Sequence, residues 1–243
     1  MLKQGRELQV KMAEISRRGF LTSCLGIVGA SLIPNGLEKA LGGEDCDIVL
    51  DPGHGMSNRK KEVYDPGCVY DGTQEAEYVL SLSKEIGQRL KQKGLKVEYT
   101  RRDAKTPTPL NSRQKIANKK KAKLFVSLHC NAFNSKARGV RTYHFPKSKK
   151  GQVASRAIQD NLVQELSTKG YEQKYDGVKT KRFYVLRKTK MPSVLVECGF
   201  LDNEYDRNFM ANHQYSYVNG IVKGILSYLK KTNTEPKTPQ PSS

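Results

Sequence analysis

The sequence is short of acidic residues, of tryptophan and of long apolar runs. Its 243 residues carry 24 Asp+Glu against 43 Lys+Arg, a formal charge of +19, and no Trp. That imbalance suits a polyanionic partner, whether nucleic acid, a cell-wall polymer or an acidic lipid surface, and names a class of partner only. The apolar run from Thr22 to Pro34 falls short of the roughly 20 residues a membrane-spanning helix needs. No Cys-x-x-Cys spacing occurs among the five cysteines, which argues against a four-thiolate zinc centre. Collagen-like and heptad compositions and internal repeats are absent too. The 37% of hydrophobic residues are too frequent and too periodic for a disordered chain. At roughly 150 residues per domain this is one domain with appendages. It is long enough to bury a core without help from disulfides or metal.

The two ends read differently from the middle. Residues 1–42 open on a polar, basic stretch that reaches Arg17-Arg18-Gly19-Phe20-Leu21 and continues into small and apolar residues. A charged segment followed by a modest apolar one fits a secretory signal, the alternative being a basic amphipathic helix that stays on the mature protein. Adjacent arginines with Phe-Leu two positions on resemble the twin-arginine export address, which is read by a receptor and does not anchor the chain. Residues 231–243, rich in Thr, Pro, Ser and Lys, are expected to be a disordered tail. Without residues 1–42 the chain keeps 37 basic and 21 acidic side chains, a charge of +16, so the remainder is basic by itself. Cys46, Cys68, Cys130 and Cys198 then remain, in a compartment that permits disulfides, with no pairing implied.

Between these ends, residues 43–230 alternate short apolar runs with amphipathic stretches. Strands are predicted at 47–50, 95–100, 124–128, 140–145 and 193–196, and helices at 74–93, 110–121, 152–168 and 215–230. In the first helix Val79, Leu82, Ile86 and Leu90 share one face, and Gly94 ends it. The alternation predicts a single α/β domain with a mostly parallel sheet flanked by helices. Such sheets bind ligands beyond the carboxyl ends of their strands, so chemically capable residues should follow the apolar runs.

They do. One strand ends in Asp51-Pro52-Gly53-His54-Gly55, another in Ser127-Leu128-His129-Cys130-Asn131, a third in Val196-Glu197-Cys198-Gly199, and Glu75 opens the first long helix. His54, His129 and Glu75 form the ligand composition of open catalytic zinc sites. Three protein ligands leave a position for a water whose pKa the metal lowers towards about 7. Glu197 then serves as general base, passing the proton to a leaving amine. A carboxylate directly after Val194-Leu195-Val196 is expensive unless paired or bound, which makes Glu197 the strongest single signal. Glu77 is the rival of Glu75, but about 200° further round the helix, so only one of them faces the site. Strand alternation turns Cys130 and Cys198 to the opposite face as buried thiols. His144 and His213 are expected to be exposed.

These segments are similar to the zinc-dependent N-acetylmuramoyl-L-alanine amidases of the amidase_3 type. The likeness rests on Asp51-Pro52-Gly53-His54-Gly55, Glu75 with Leu80, Thr100-Arg101, Arg113 with Ala117-Asn118, Ser127 to Ala132, and Val185-Leu186-Arg187 with Met191 to Leu201. It runs in order over residues 46–230. The resemblance implies a twisted, mostly parallel sheet, one zinc ion on His54, Glu75 and His129, and Glu197 as the catalytic glutamate. It implies hydrolysis of the amide joining N-acetylmuramic acid to the L-Ala of the stem peptide, and Asn131 and Arg187 as substrate contacts. Peptidoglycan then accounts for the positive charge without nucleic acid. The implied setting is the periplasm, with membrane contact only during export and a monomeric enzyme. A wall-binding domain ahead of the catalytic one and a helix plugging the site, both known in the family, are not expected here, so no protein activator is required. The alternatives are another zinc peptidase or amidohydrolase of the wall, or a non-catalytic wall-binding module.

Overall fold

A computed structural model describes residues 45–56, 63–174 and 177–234. The expected export signal, residues 1–42, and most of the expected tail lie outside the described residues. In chain order the elements are β1 (Ile48–Pro52), β2 (Gly55–Met56), β3 (Tyr64–Asp65), β4 (Val69–Tyr70), β5 (Thr73–Gln74), α1 (Glu75–Gln92), β6 (Val97–Tyr99), α2 (Leu110–Lys119), β7 (Leu124–Asn131), β8 (Arg141–His144), α3 (Lys149–Ser167), β9 (Val178–Thr180), α4 (Tyr184–Lys188), β10 (Ser193–Phe200), α5 (Glu204–Asn212) and α6 (Gln214–Thr234).

Six strands form the central sheet in the order β6-β1-β7-β10-β8-β9. The pairings β6–β1, β1–β7 and β7–β10 are parallel, and β8 runs antiparallel to β10 with β9 parallel to β8. This is the α/β, mostly parallel sheet flanked by helices that the alternation predicts. Register is set by which residues must be dry. Ile48, Leu50, Leu124, Val126, Leu128, Val194 and Val196 all point to one face, where the apolar sides of α1, α3 and α6 cover them. Val79, Leu82, Ile86 and Leu90 of α1 are fully buried there, each worth about 1.5–3 kcal/mol of burial. On the other face Val49, Phe125 and Leu195 meet Ala117 of α2 and Val185 and Leu186 of α4. Among the described residues no helix is long and apolar enough to cross a membrane.

Some expectations need correction. His144 is buried at 6% exposure, because it ends β8 beneath α3, and its Nδ1 lies 3.1 Å from the Phe145 carbonyl. His213 is half-buried, its ring packed on Phe209 at 4.3 Å. Helix α6 runs on through Thr234, so residues 231–234 belong to the helix and not to a tail. Helix α5 was not expected, although Asn203 caps it by accepting from the Asp206 amide. Cys46, Cys68, Cys130 and Cys198 are all free thiols.

Candidate metal and catalytic centre

The site lies where β1, β7 and β10 end. Parallel pairing puts Glu197 directly opposite His129 and Asp51 opposite Ser127, so the strand ends arrive at one edge of the sheet. Beyond Pro52 the chain must turn sharply. His54 adopts a left-handed backbone (φ 58), a conformation uncommon outside glycine. Gly53 is required by close approach: a Cβ there would fall 2.3 Å from Cε1 of His129, whose ring lies against it. Two buried guanidiniums hold the turn. Arg113 donates to the Pro52 carbonyl at 2.8 Å and the His54 carbonyl at 2.6 Å. Arg101 donates to the carbonyls of Pro52 and Gly53, and to that of Ala76 in the first turn of α1. Arg101 therefore ties the segment that bears His54 to the one that bears Glu75.

The three predicted ligands converge. His54 Nε2 lies 3.0 Å and His129 Nδ1 2.9 Å from Glu75 Oε1, and the three potential ligand atoms all fall within 4.8 Å of one another. Tetrahedral bonds of about 2.0–2.1 Å would separate ligand atoms by about 3.3 Å, near the two spacings onto Glu75 Oε1, and the donor set is one that suits zinc. Glu75 is 3% exposed while Glu77 is exposed, which decides between the two. Backbone amides of Cys68 and Cys130 donate to the two Glu75 oxygens at 3.0 and 2.9 Å. Burial alone would raise the Glu75 pKa; the bonds and charges of His129 and His54 outweigh it and hold the carboxyl well below the usual range. Burial pushes His54 down, but its bonds to Glu75 and Asp65 win, and its pKa is raised.

Asp65 is a functional residue that the sequence reading missed. Its Oδ2 accepts from His54 Nδ1 at 3.0 Å, which turns Nε2 towards Glu75, and its Oδ1 accepts from the Gly67 amide. The signal was present: Asp65-Pro66-Gly67 repeats the tripeptide Asp51-Pro52-Gly53.

Glu197 stands beside the cluster, with Oε2 shielded from solvent and without a hydrogen-bond partner among the described residues. Burial pushes its carboxyl up to about 7; the Glu75 charge adds to this, and His129, His54 and Arg141 oppose it. A carboxylate near neutrality can both take and return a proton. Asn131 ends β7 on the same face as His129, its Oδ1 accepting from the Ala132 amide at 3.0 Å. Arg187 stands outside the cluster, exposed on α4 with its guanidinium 5.8 Å from the centre of the Tyr184 ring. Cys130 and Cys198 are buried in the core, and burial raises both thiols, as inert apolar packing requires.

Comparison with known proteins gives one family. Residues 48–227 match the family described as N-acetylmuramoyl-L-alanine amidase. The chain is 34% identical over 190 residues to uncharacterized protein YqiI of Bacillus subtilis, covering 76% of this chain and 85% of that one. It is 31% identical over 204 residues to N-acetylmuramoyl-L-alanine amidase LytC of Bacillus subtilis, covering 82% of this chain but 38% of LytC. The solved structure of N-acetylmuramoyl-L-alanine amidase AmiC2 of Nostoc punctiforme matches with a TM-score of 0.67 at 30% identity, over 78% of this chain and 99% of that one.

Proposed function

As the chain belongs to the N-acetylmuramoyl-L-alanine amidase family, we propose that it cuts the amide between N-acetylmuramic acid and the L-Ala of the stem peptide, with one zinc ion on His54, Glu75 and His129 and with Glu197 as proton carrier. It is a peptidoglycan hydrolase acting outside the cytoplasm, as cell-wall amidases do. The observation that carries the residue assignment is the convergence of three ligand atoms within 4.8 Å beside a shielded Glu197 Oε2 that has no hydrogen-bond partner among the described residues.

When bound, zinc supplies Lewis acidity, easing deprotonation of the attacking water and drawing electron density from the scissile carbonyl. The chain's residues do the rest. Asp65 fixes the tautomer of His54, and the amides of Cys68 and Cys130 fix both oxygens of Glu75. Glu197 accepts the water's proton at Oε2 and delivers it to the departing nitrogen, so stem peptides leave with a free L-Ala amine. Asn131 and Arg187 are the proposed substrate contacts.

Residues 1–42 are proposed as a twin-arginine export signal, 43–234 as the catalytic domain, and the periplasm as the site of action of a monomer. Helix α3, which fills the interval where a plug would sit, buries Ala154, Ile158 and Leu162 in the core. That placement favours activity without an activator. The test is a murein digest by zinc-loaded residues 43–243, with and without chelator, its products read by mass spectrometry. Chelator-sensitive release of intact stem peptides with L-Ala amines is expected. Release of shorter peptides would make the enzyme a stem-peptide peptidase, and an inert zinc-loaded domain would overturn the reading.

A further inference from the structure

Next to Glu197 the sheet opens into a cavity of about 500 Å³ whose walls include Asn131, Phe133, Asn134, Lys136, Arg141 and Phe200. Arg141 is the residue directly opposite Glu197 in the antiparallel pairing of β8 with β10. Residues so paired project to the same face with Cβ atoms about 5 Å apart. The cavity therefore adjoins the proton carrier. Among the described residues no acidic side chain lines it, while two cationic ones do.

Its outer lip, residues 132–139, is a built loop. The amides of Phe133 and Ser135 both donate to Asp202 Oδ2, at 3.0 and 2.7 Å. Asn203 Nδ2 donates to the Ser135 carbonyl, and Asn134 Oδ1 accepts from the amides of Lys136 and Ala137. The Gly139 amide donates to Asp206 Oδ2 in the interior. So braced, the loop holds the Phe133 ring in solvent at 77% exposure beside Lys136.

The geometry points to an anion-binding subsite in which Arg141 and Lys136 take a carboxylate of the stem peptide and the Phe133 ring covers the aliphatic carbons next to it. The inference rests on the amidase reading and adds to it a preference among stem peptides: those with a free carboxylate near the scissile amide over those in which it is amidated. A guanidinium at the cavity's inner wall supplies a directed, charge-assisted donor, and the exposed ammonium at the lip attracts the anion as it approaches. Glucosaminyl or muramyl rings would use the Phe133 ring alone and offer no anion to either cation.

The test compares two synthetic muramyl tetrapeptides that differ only in whether the second residue keeps its free α-carboxylate or bears a carboxamide. The zinc-loaded full chain should prefer the acid about tenfold or more in kcat/KM, a preference carried mainly by KM. Arg141→Gln and Lys136→Gln should each shrink the ratio, and the double variant should bring it close to one. Arg141 also faces Glu197, so its loss changes turnover of both substrates alike; the ratio between them, taken at each pH, reads the subsite alone. Calorimetric binding of the same two peptides to Glu197→Gln gives a readout independent of turnover, and should show the same preference fading with salt. Equal affinity and equal kcat/KM for the two peptides in the unsubstituted chain, or a preference that survives in the double variant, overturns the subsite. Failure to cut either peptide while the binding preference persists overturns the amidase reading and leaves the subsite standing.

Discussion

Two clusters of buried charge lie one above the other in this molecule, and they are finished to different degrees. Below the turn, Asp51 accepts from Thr100 Oγ1, Ser127 Oγ and Arg113 Nη1 at 2.6, 2.7 and 2.8 Å. Arg113 also donates to backbone carbonyls, as does Arg101 beside it, and each is 2% exposed. Above the turn, Glu75 gathers two imidazoles about one oxygen, and Glu197 Oε2 has no hydrogen-bond partner among the described residues. A buried polar atom left unpaired costs roughly 1–3 kcal/mol. The lower cluster is closed because its task is to hold shape. The upper one is left open because its remaining partners are a cation, a water and a substrate.

The largest expected effect tests the open cluster. Glu197→Gln keeps size and hydrogen bonding but removes the base, so murein hydrolysis should fall by about 10²–10⁴, while bound zinc and melting temperature stay as they were. Turnover that survives the change would show that the open position is not where the proton goes. Next comes the closed cluster. Asp51→Asn leaves the Arg113 guanidinium buried without its carboxylate and takes a negative charge away from Arg101 nearby, which should cost about 3–5 kcal/mol in unfolding free energy. The pH dependence of that loss has a definite sign. Burial alone would raise Asp51; the Arg113 charge, with the bonds from Thr100 and Ser127, prevails and lowers it. A lowered native pKa gives stability that is complete above the unfolded value of about 3.9 and is lost as pH falls through the native one. The gap between the unsubstituted chain and Asp51→Asn should therefore be constant near neutrality and close only in acid. A gap that is small at pH 7 would mean the lower cluster does not hold the turn.

How much of this was legible in the sequence follows the same division. His54, His129 and Glu197 could be read because each is a chemically distinctive residue placed just after an apolar run, where a parallel sheet delivers its ligand groups, and Glu75 because it opens the first long helix. The choice of Glu75 over Glu77 needed only helix geometry. Sequence patterning gave little hold on the supports. Arg101 and Arg113 carry part of the family likeness, but among 43 Lys and Arg nothing in the pattern says that they are buried, and their burial comes from contacts with residues 25 to 62 positions away. His144 reads as a strand-end histidine, and its burial is decided by α3 packing over β8. Helix α5 has a capping asparagine but too little apolar periodicity to declare itself: only Asp206 and Met210 are buried in its nine residues.

Asp65 belongs to both clusters in character, since it is an ordinary structural acceptor serving an open site, and its replacement should have the smallest effect of the three. Its Oδ2 holds the Nδ1 proton of His54, and its Oδ1 takes the Gly67 amide. Gly67 (φ +69) in turn lies so close to the ligands that a Cβ there would sit 2.5 Å from Glu75 Oε2 and 2.8 Å from His54 Cδ2. Asp65→Ala therefore frees the imidazole to rotate or change tautomer and loosens the turn that touches both ligands. Partners of this kind typically contribute 10–100-fold in metal affinity. A competing chelator should strip zinc from Asp65→Ala at a concentration lower by about that factor, with little change in the melting temperature of the metal-free protein. Asp65→Asn retains an acceptor for Nδ1 and loses only the charge, so it should fall between. If Asn and Ala weaken zinc equally, the charge on Asp65 matters more than the orientation it imposes; if neither does, the three ligands are held by the turn and the buried arginines alone.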